Sequence, residues 1–184
     1  MKTISGFVLT NILGWRISGE FPAIKKSIVI FAPHTSYFDA LYGKLVINEI
    51  GINHKFLSKK ELFKFPMNIP MKLYGSIPVR GVKGNNAIYQ IVKMLEKDPS
   101  IHIILSPEGT IAKIFQWNMG FYYMALKANV PIIVAYLDYQ KKEVGIKGMI
   151  ENLDDRNAVI KQINFMYKDV VGKYPENFSL NLRN

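Results

Sequence analysis

The chain is 184 residues long and 49% hydrophobic, and it carries 24 Lys and Arg against 14 Asp and Glu, a formal net charge of +10. That length and apolar fraction fit one globular domain with a substantial core, residues 1–184, and no second domain is expected. Cysteine is absent, which excludes a disulfide framework, a thiolate nucleophile and a zinc-thiolate site together. Covalent chemistry would have to use serine, threonine, lysine or a carboxylate.

Residues 3–15 open with Ile4, Phe7, Val8, Ile12 and Trp15 at spacings of mostly three and four, the pattern of an amphipathic helix that could lie on a membrane or pack on the domain. The stretch is well short of the ~20 apolar residues a bilayer span needs. It lacks the charged leader and small-residue cleavage site of a signal peptide, so a cytoplasmic location is expected. Residues 27–32 form a continuous apolar run suited to a buried strand,. Directly after it come His34-Thr35-Ser36-Tyr37-Phe38-Asp39. Ser36 followed three residues later by Asp39 is a capping-box pattern, which starts a helix over residues 37–50 with Phe38, Leu41, Tyr42 and Leu45 on one face,. Asp39 then falls in the first turn, close to the His34 ring. A histidine at the end of a buried strand, with a carboxylate one turn further on, is the minimal equipment for taking a proton from a hydroxyl at neutral pH. The same residues also suffice for a plain helix cap beside a loop histidine.

A short strand fits residues 54–57, and another fits 76–79. Between Lys55 and Lys83 stand seven basic residues, Lys55, Lys59, Lys60, Lys64, Lys72, Arg80 and Lys83, against one acid, Glu61. Large apolar side chains, among them Phe63, Phe65, Met67, Ile69 and Leu73, are interleaved with them. Cations with stacking aromatics suit nucleic acid, cations beside apolar groups suit an anionic membrane, and a solvated lysine face needs neither. A helix starts at Asn86 and ends before Asp98-Pro99,. The buried strand 101–105 runs straight into Ser106-Pro107-Glu108-Gly109-Thr110, a tight turn that presents the Glu108 carboxylate and backbone amides at a strand end. A helix over 119–128, strands over 131–136 and 143–147, and a closing helix over 155–172 follow, with 174–184 as a loose tail,. His102 lies within an apolar run and reads as a core histidine, His54 as a surface one, and Trp15 and Trp117 as packing residues. The alternation predicts a single α/β domain with a mainly parallel mixed sheet flanked by helices. Ligands in such folds gather beyond the carboxyl ends of the strands, where both His34 and Glu108 fall.

These residues also resemble a known family. His34 with Asp39, Gly75-Ser76-Ile77-Pro78-Val79, Ser106-Pro107-Glu108-Gly109-Thr110 and Val130-Pro131-Ile132-Ile133 are similar, in order and approximate spacing, to the four blocks of the glycerolipid acyltransferases, the family of 1-acylglycerol-3-phosphate acyltransferases. The resemblance runs from about Trp15 to Tyr139, and Trp117 with Gly120-Phe121-Tyr122-Tyr123 resembles the segment before the fourth block in short bacterial members. It implies a glycerolipid acyltransferase-like fold, with His34 as general base and Asp39 orienting its ring. The substrate-binding set it implies is Ser36, Gly75, Arg80, Glu108, Gly109, Thr110 and Lys113, with Glu108 placing the acceptor. Backbone amides near the Ser106 turn or near Pro131 are the candidate oxyanion donors. The donor would be acyl-CoA or an acidic acyl carrier protein and the acceptor a lysolipid, with no cofactor, no metal and no nucleic acid involved. The basic apolar region would meet an anionic membrane surface, at the inner face of the cell membrane. Two positions depart from the family pattern. Gly81 and Ile111 stand where phosphate-binding members usually carry arginine, and Arg80 and Lys113 are the nearest cations. Lysine does not replace a bidentate guanidinium, so a non-phosphate acceptor such as a lyso-aminolipid is the alternative. Two rival classes remain: a nonenzymatic basic protein binding membrane or nucleic acid, and a hydrolase using His34, Asp39 and Glu108 as metal ligands.

Overall fold

The computed structural model describes residues 3–79 and 85–182. One seven-stranded sheet organises them, built from β1 (Arg16–Ser18), β2 (Lys26–Ala32), β3 (His54–Lys59), β4 (Ser76–Val79), β5 (Ile101–Leu105), β6 (Ile132–Asp138) and β7 (Glu143–Ile150). The spatial order is β1-β7-β6-β2-β5-β3-β4. The five strands from β6 to β4 run parallel, while β7 is antiparallel to β6 and pairs in parallel with β1. The predicted mainly parallel mixed sheet is therefore what forms. Gly145 permits the β1 contact, since a Cβ there would meet the Ser18 carbonyl oxygen of the neighbouring strand at 1.7 Å.

Helices cover both faces. α1 (Ile4–Phe7), continued by a wider helical turn over Val8–Ile12, and α2 (Tyr37–Ile50) lie on one side, while α4 (Asn85–Lys97), α5 (Gly120–Ala128) and α6 (Arg156–Tyr167) lie on the other. A short helix, α3 (Asn68–Tyr74), precedes β4. The alternation along β2 shows how the layers are fed. Ile28, Ile30 and Ala32 enter the core beneath α4, α5 and α6, while Val29 and Phe31 face the α2 side, the period-two division expected of a strand buried on both faces.

Four expectations are corrected. The inward face of α2 is Asp39, Gly43, Val46 and Ile47, and Phe38 and Leu41 are exposed. The cap at Ser36 sets the phase of the helix and turns Asp39 toward the sheet, which leaves Phe38 and Leu41 outside. At the N-terminus Leu9 and Trp15 are buried, but Ile4, Phe7 and Ile12 are exposed, because the wide turn after Phe7 breaks the regular helical period. The last residues are not a loose tail. Asn181 is buried, its backbone N–H donates to Asn164 Oδ1 at 3.0 Å, its side-chain carbonyl accepts from the Trp117 N–H at 3.1 Å, and Leu182 N–H donates to the Phe115 carbonyl at 2.9 Å. Those polar anchors carry no apolar periodicity that a sequence pattern reveals. His54 is half-buried rather than a surface residue, with Nε2 3.1 Å from Lys44 Nζ. β1 and α3 were not expected at all; each is short and lacks a strong pattern.

Candidate active site

The carboxyl ends of three adjacent parallel strands, β5, β2 and β6, deliver the polar groups. From β2 comes the loop with His34, closed by α2. Ser36 caps this helix, its hydroxyl accepting the Phe38 N–H at 3.2 Å, and the Asp39 carboxylate reaches back to the Ser36 N–H at 2.8 Å. The capping box thus forms as its spacing predicts, and Asp39 gains a favourable place at the positive end of the helix dipole.

Asp39 has no exposed surface and is held by four groups. Its Oδ2 accepts the Thr35 and Ser36 N–H groups at 2.8 Å each and lies 3.3 Å from His34 Nδ1. Its Oδ1 accepts the Tyr139 hydroxyl at 2.6 Å. The His34–Asp39 separation is long for a neutral hydrogen bond and well inside ion-pair distance, so the contact strengthens as the ring becomes an imidazolium. With Nδ1 toward the carboxylate, Nε2 is the nitrogen available to a substrate proton.

β5 contributes Glu108, and the structure turns it inward. Both carboxylate oxygens accept the His34 backbone N–H at 3.1 Å, and Oε2 also accepts the Ser106 hydroxyl at 2.8 Å. Burial pushes its carboxyl up to about 7, while the His34 N–H and the Ser106 hydroxyl act in the opposite sense. Through these bonds Glu108 holds the loop that carries His34. Gly109 makes the turn possible with φ at +65°, where residues with a Cβ are strained.

Two cavities flank these groups. The first, about 140 Å³, lies between α2 and the sheet, with the His34 ring and Asp39 at its polar end and Phe31, Gly43, Ile47 and Ile104 among its walls. The second, about 570 Å³, lies on the opposite face of the sheet and takes in Glu108, Gly109, Thr110, Lys59 and Gln116. Ser58 and Ser106 line both, at the ends of β3 and β5.

The remaining sequence-predicted residues divide. Gly75 is the left-handed cap that ends α3, with φ at +87°. The Thr110 hydroxyl accepts the Ala112 N–H at 3.2 Å and borders the second cavity. Lys113 lines neither cavity and places Nζ 5.5 Å from the Phe115 ring centre. Arg80 and Gly81 lie outside the described residues. Pro131 is corrected as a source of oxyanion donors. It precedes the first residue of β6, whose partner on β2 is Ile28, so it sits at the amino end of the sheet, about 20 Å of strand from His34. Tyr139 is the residue that sequence reasoning missed, because nothing in a tyrosine 100 positions from Asp39 announces a hydrogen bond between them. For a metal, Asp39 and Glu108 both face main-chain N–H groups. Among the described residues no three His, Asp or Glu side chains are grouped as ligands.

With this geometry in view, the class follows. The Acyltransferase family model matches residues 15–137, a span that contains His34, Asp39 and the Glu108 turn. Comparison with curated proteins and with solved structures returns no match. The chain belongs to the glycerolipid acyltransferase family, and its general activity is acyl transfer. Among the described residues no helix is long and apolar enough to cross a membrane.

Proposed function

We propose that this chain moves a fatty acyl group from an acyl thioester, acyl-CoA or acyl carrier protein, to the hydroxyl of a lysolipid such as 1-acylglycerol-3-phosphate, working at the inner face of the cell membrane. The observation that carries this reading is the His34 imidazole, paired with a buried carboxylate, at the polar end of an apolar cavity. In the proposed reaction His34 Nε2 takes the proton of the acceptor hydroxyl as its oxygen attacks the thioester carbonyl. Asp39 stabilises the imidazolium that results. The tetrahedral oxyanion collapses, the carbon–sulfur bond breaks, and the departing thiolate takes the proton from the imidazolium. The products are an ester and a free thiol, so no acyl-enzyme is required. The apolar walls of the first cavity suit the acyl chain.

A second reading keeps the reaction and changes the acceptor. Ile111 stands in the place of a guanidinium and Lys113 is engaged with Phe115, which favours an acceptor without a phosphate, such as a lyso-aminolipid.

The test is a thioester-release assay with acyl-CoA and acyl carrier protein donors over a panel of lysolipids, using wild type and His34→Ala. Loss of the base should cost about 10³-fold in turnover. No turnover of any acceptor, or equal turnover by both proteins, would defeat the proposal. Gly43→Ile probes the chain site. A Cβ at Gly43 would approach the Phe31 ring to 3.6 Å, so a longer branch enters the cavity, and donor preference should move to shorter acyl groups.

A further inference from the structure

We infer that the first turn of α2 together with residues 60–73 forms a membrane-docking face that seats the His34 cavity on an anionic bilayer. This rests on the lipid-acceptor reading and adds which surface meets the lipid. The observation is a concentration of exposed apolar side chains. Phe65 is 84% and Leu73 81% exposed, Leu62, Met67 and Ile69 accompany them, and Tyr37, Phe38 and Leu41 project from α2. α3 buries none of its residues, and among the described residues nothing covers its Ile69 and Leu73 side chains, which are 56% and 81% exposed. The Tyr74 hydroxyl donates to the Ala40 carbonyl at 2.6 Å, which joins the end of α3 to the start of α2. Ala40 and Tyr74 both line the His34 cavity, so this junction is also its rim.

The charges on the same stretch select the occupant. Lys59, Lys60, Lys64 and Lys72 are exposed, and Glu61 is the one acid among residues 55–79. Cations around apolar groups match anionic headgroups above an acyl boundary. A second copy of the chain would set lysines against lysines, which is unfavourable. Single-stranded nucleic acid would call for a row of stacking aromatics, whereas along residues 60–73 Phe65 is the one strongly exposed aromatic among Leu62, Met67, Ile69 and Leu73. Docked in this way, the face lets a lysolipid reach His34 without leaving the bilayer.

The absence of native cysteine permits single labelled cysteines at positions 65 and 73, with position 165 as a control, since Phe165 is exposed but lies on α6 beyond the other face of the sheet. Vesicles of equal parts phosphatidylglycerol and phosphatidylcholine should bind the protein, and phosphatidylcholine vesicles should not. An environment-sensitive dye should shift to the blue at 65 and 73 but not at 165. The pairs Lys60→Glu with Lys64→Glu, and Phe65→Ser with Leu73→Ser, should each weaken vesicle binding about tenfold or more. Turnover of a short-chain, water-soluble thioester and alcohol should be unchanged in both pairs. Equal binding by the variants, an equal shift at 165, or capture of an acidic carrier protein or RNA through this face in place of vesicles would overturn the inference. Vesicle binding by a protein that acylates nothing would sink the acyl-transfer reading and leave this face standing. Soluble turnover without vesicle binding would do the reverse.

Discussion

At one end of β2, His34 stands beside a carboxylate and a cavity. At the other end Ser27 pairs with His102 on β5, whose Nδ1 lies 2.8 Å from the Ser27 hydroxyl. Both are histidines with an oxygen near Nδ1, and a serine against a histidine could itself pass for a nucleophile and its base. Their surroundings separate them. His102 is buried with the Phe21 ring edge-on at 4.8 Å, lines neither cavity, and has a hydroxyl where His34 has a carboxylate. Burial lowers its imidazole to about 4, so it stays neutral where a base would have to take up a proton. A working base needs access and a negative partner to stabilise its charged form, and only the carboxyl end of β2 supplies both.

The contrast breaks most sharply if the two partners are exchanged in importance. Asp39→Asn removes the charge that stabilises the imidazolium and should lower kcat/KM on the order of 10³-fold in the thioester assay. If that variant turns over normally, the pairing is a helix cap and nothing more. Next in size is a pH effect on stability. Glu108 binds its proton more tightly in the folded chain, up to about 7. Its contribution is therefore greatest in acid and is lost as pH rises through about 4.5 to 7. His102, lowered to about 4, has the opposite sign, and its contribution is lost as pH falls from about 6.5 to 4. Glu108→Gln keeps an acceptor for the His34 N–H and removes the titration. Its unfolding free energy should gain on wild type by on the order of 3 kcal/mol between about pH 4.5 and 7. A difference that is flat with pH would show that Glu108 does not titrate in that range.

Smaller effects sharpen the comparison. Tyr139→Phe withdraws one donor from Asp39 and should cost about tenfold in kcat/KM, near the ~1.4 kcal/mol of one hydrogen bond. The carboxylate then keeps more of its charge for the imidazolium, so the acid limb of the pH profile should move to higher pH. Loss of rate without that movement would assign Tyr139 to packing with Trp15 and Tyr42, whose rings lie 5.0 and 5.9 Å away. Ser27→Ala should destabilise by about 1 kcal/mol in denaturant titration and leave turnover alone. A fall in turnover would mean that the buried pair takes part after all.

Much of this was legible in the chain because local physics carries it. Apolar runs marked β2 and β5, and the spacing of Ser36 and Asp39 announced the cap that places the carboxylate beside His34. The order of the motifs carried the family. Lengths of strand and helix were harder where contacts from elsewhere extend them, as in β7, which continues to Ile150 by pairing with β6 at the amino end.

Tertiary structure decided the rest, for one reason: a residue's partner in space has no fixed spacing along the chain. Glu108 was visible as an acid in a turn, yet only the approach of β5 to β2 aims it at the His34 backbone and raises its proton affinity. Pro131 belongs to a motif in sequence but lies at the far end of the sheet. Tyr139 joins Asp39 across the β2–β6 pair, Asn181 ties the chain end to α6 and Trp117, and the exposed side of α3 emerges only once the core is full. Residue type and local spacing establish which groups are capable of the chemistry. Packing, by setting burial and charge partners, separates His34, the base of the proposed reaction, which has a carboxylate partner and a cavity beside it, from His102, which is buried and faces a hydroxyl.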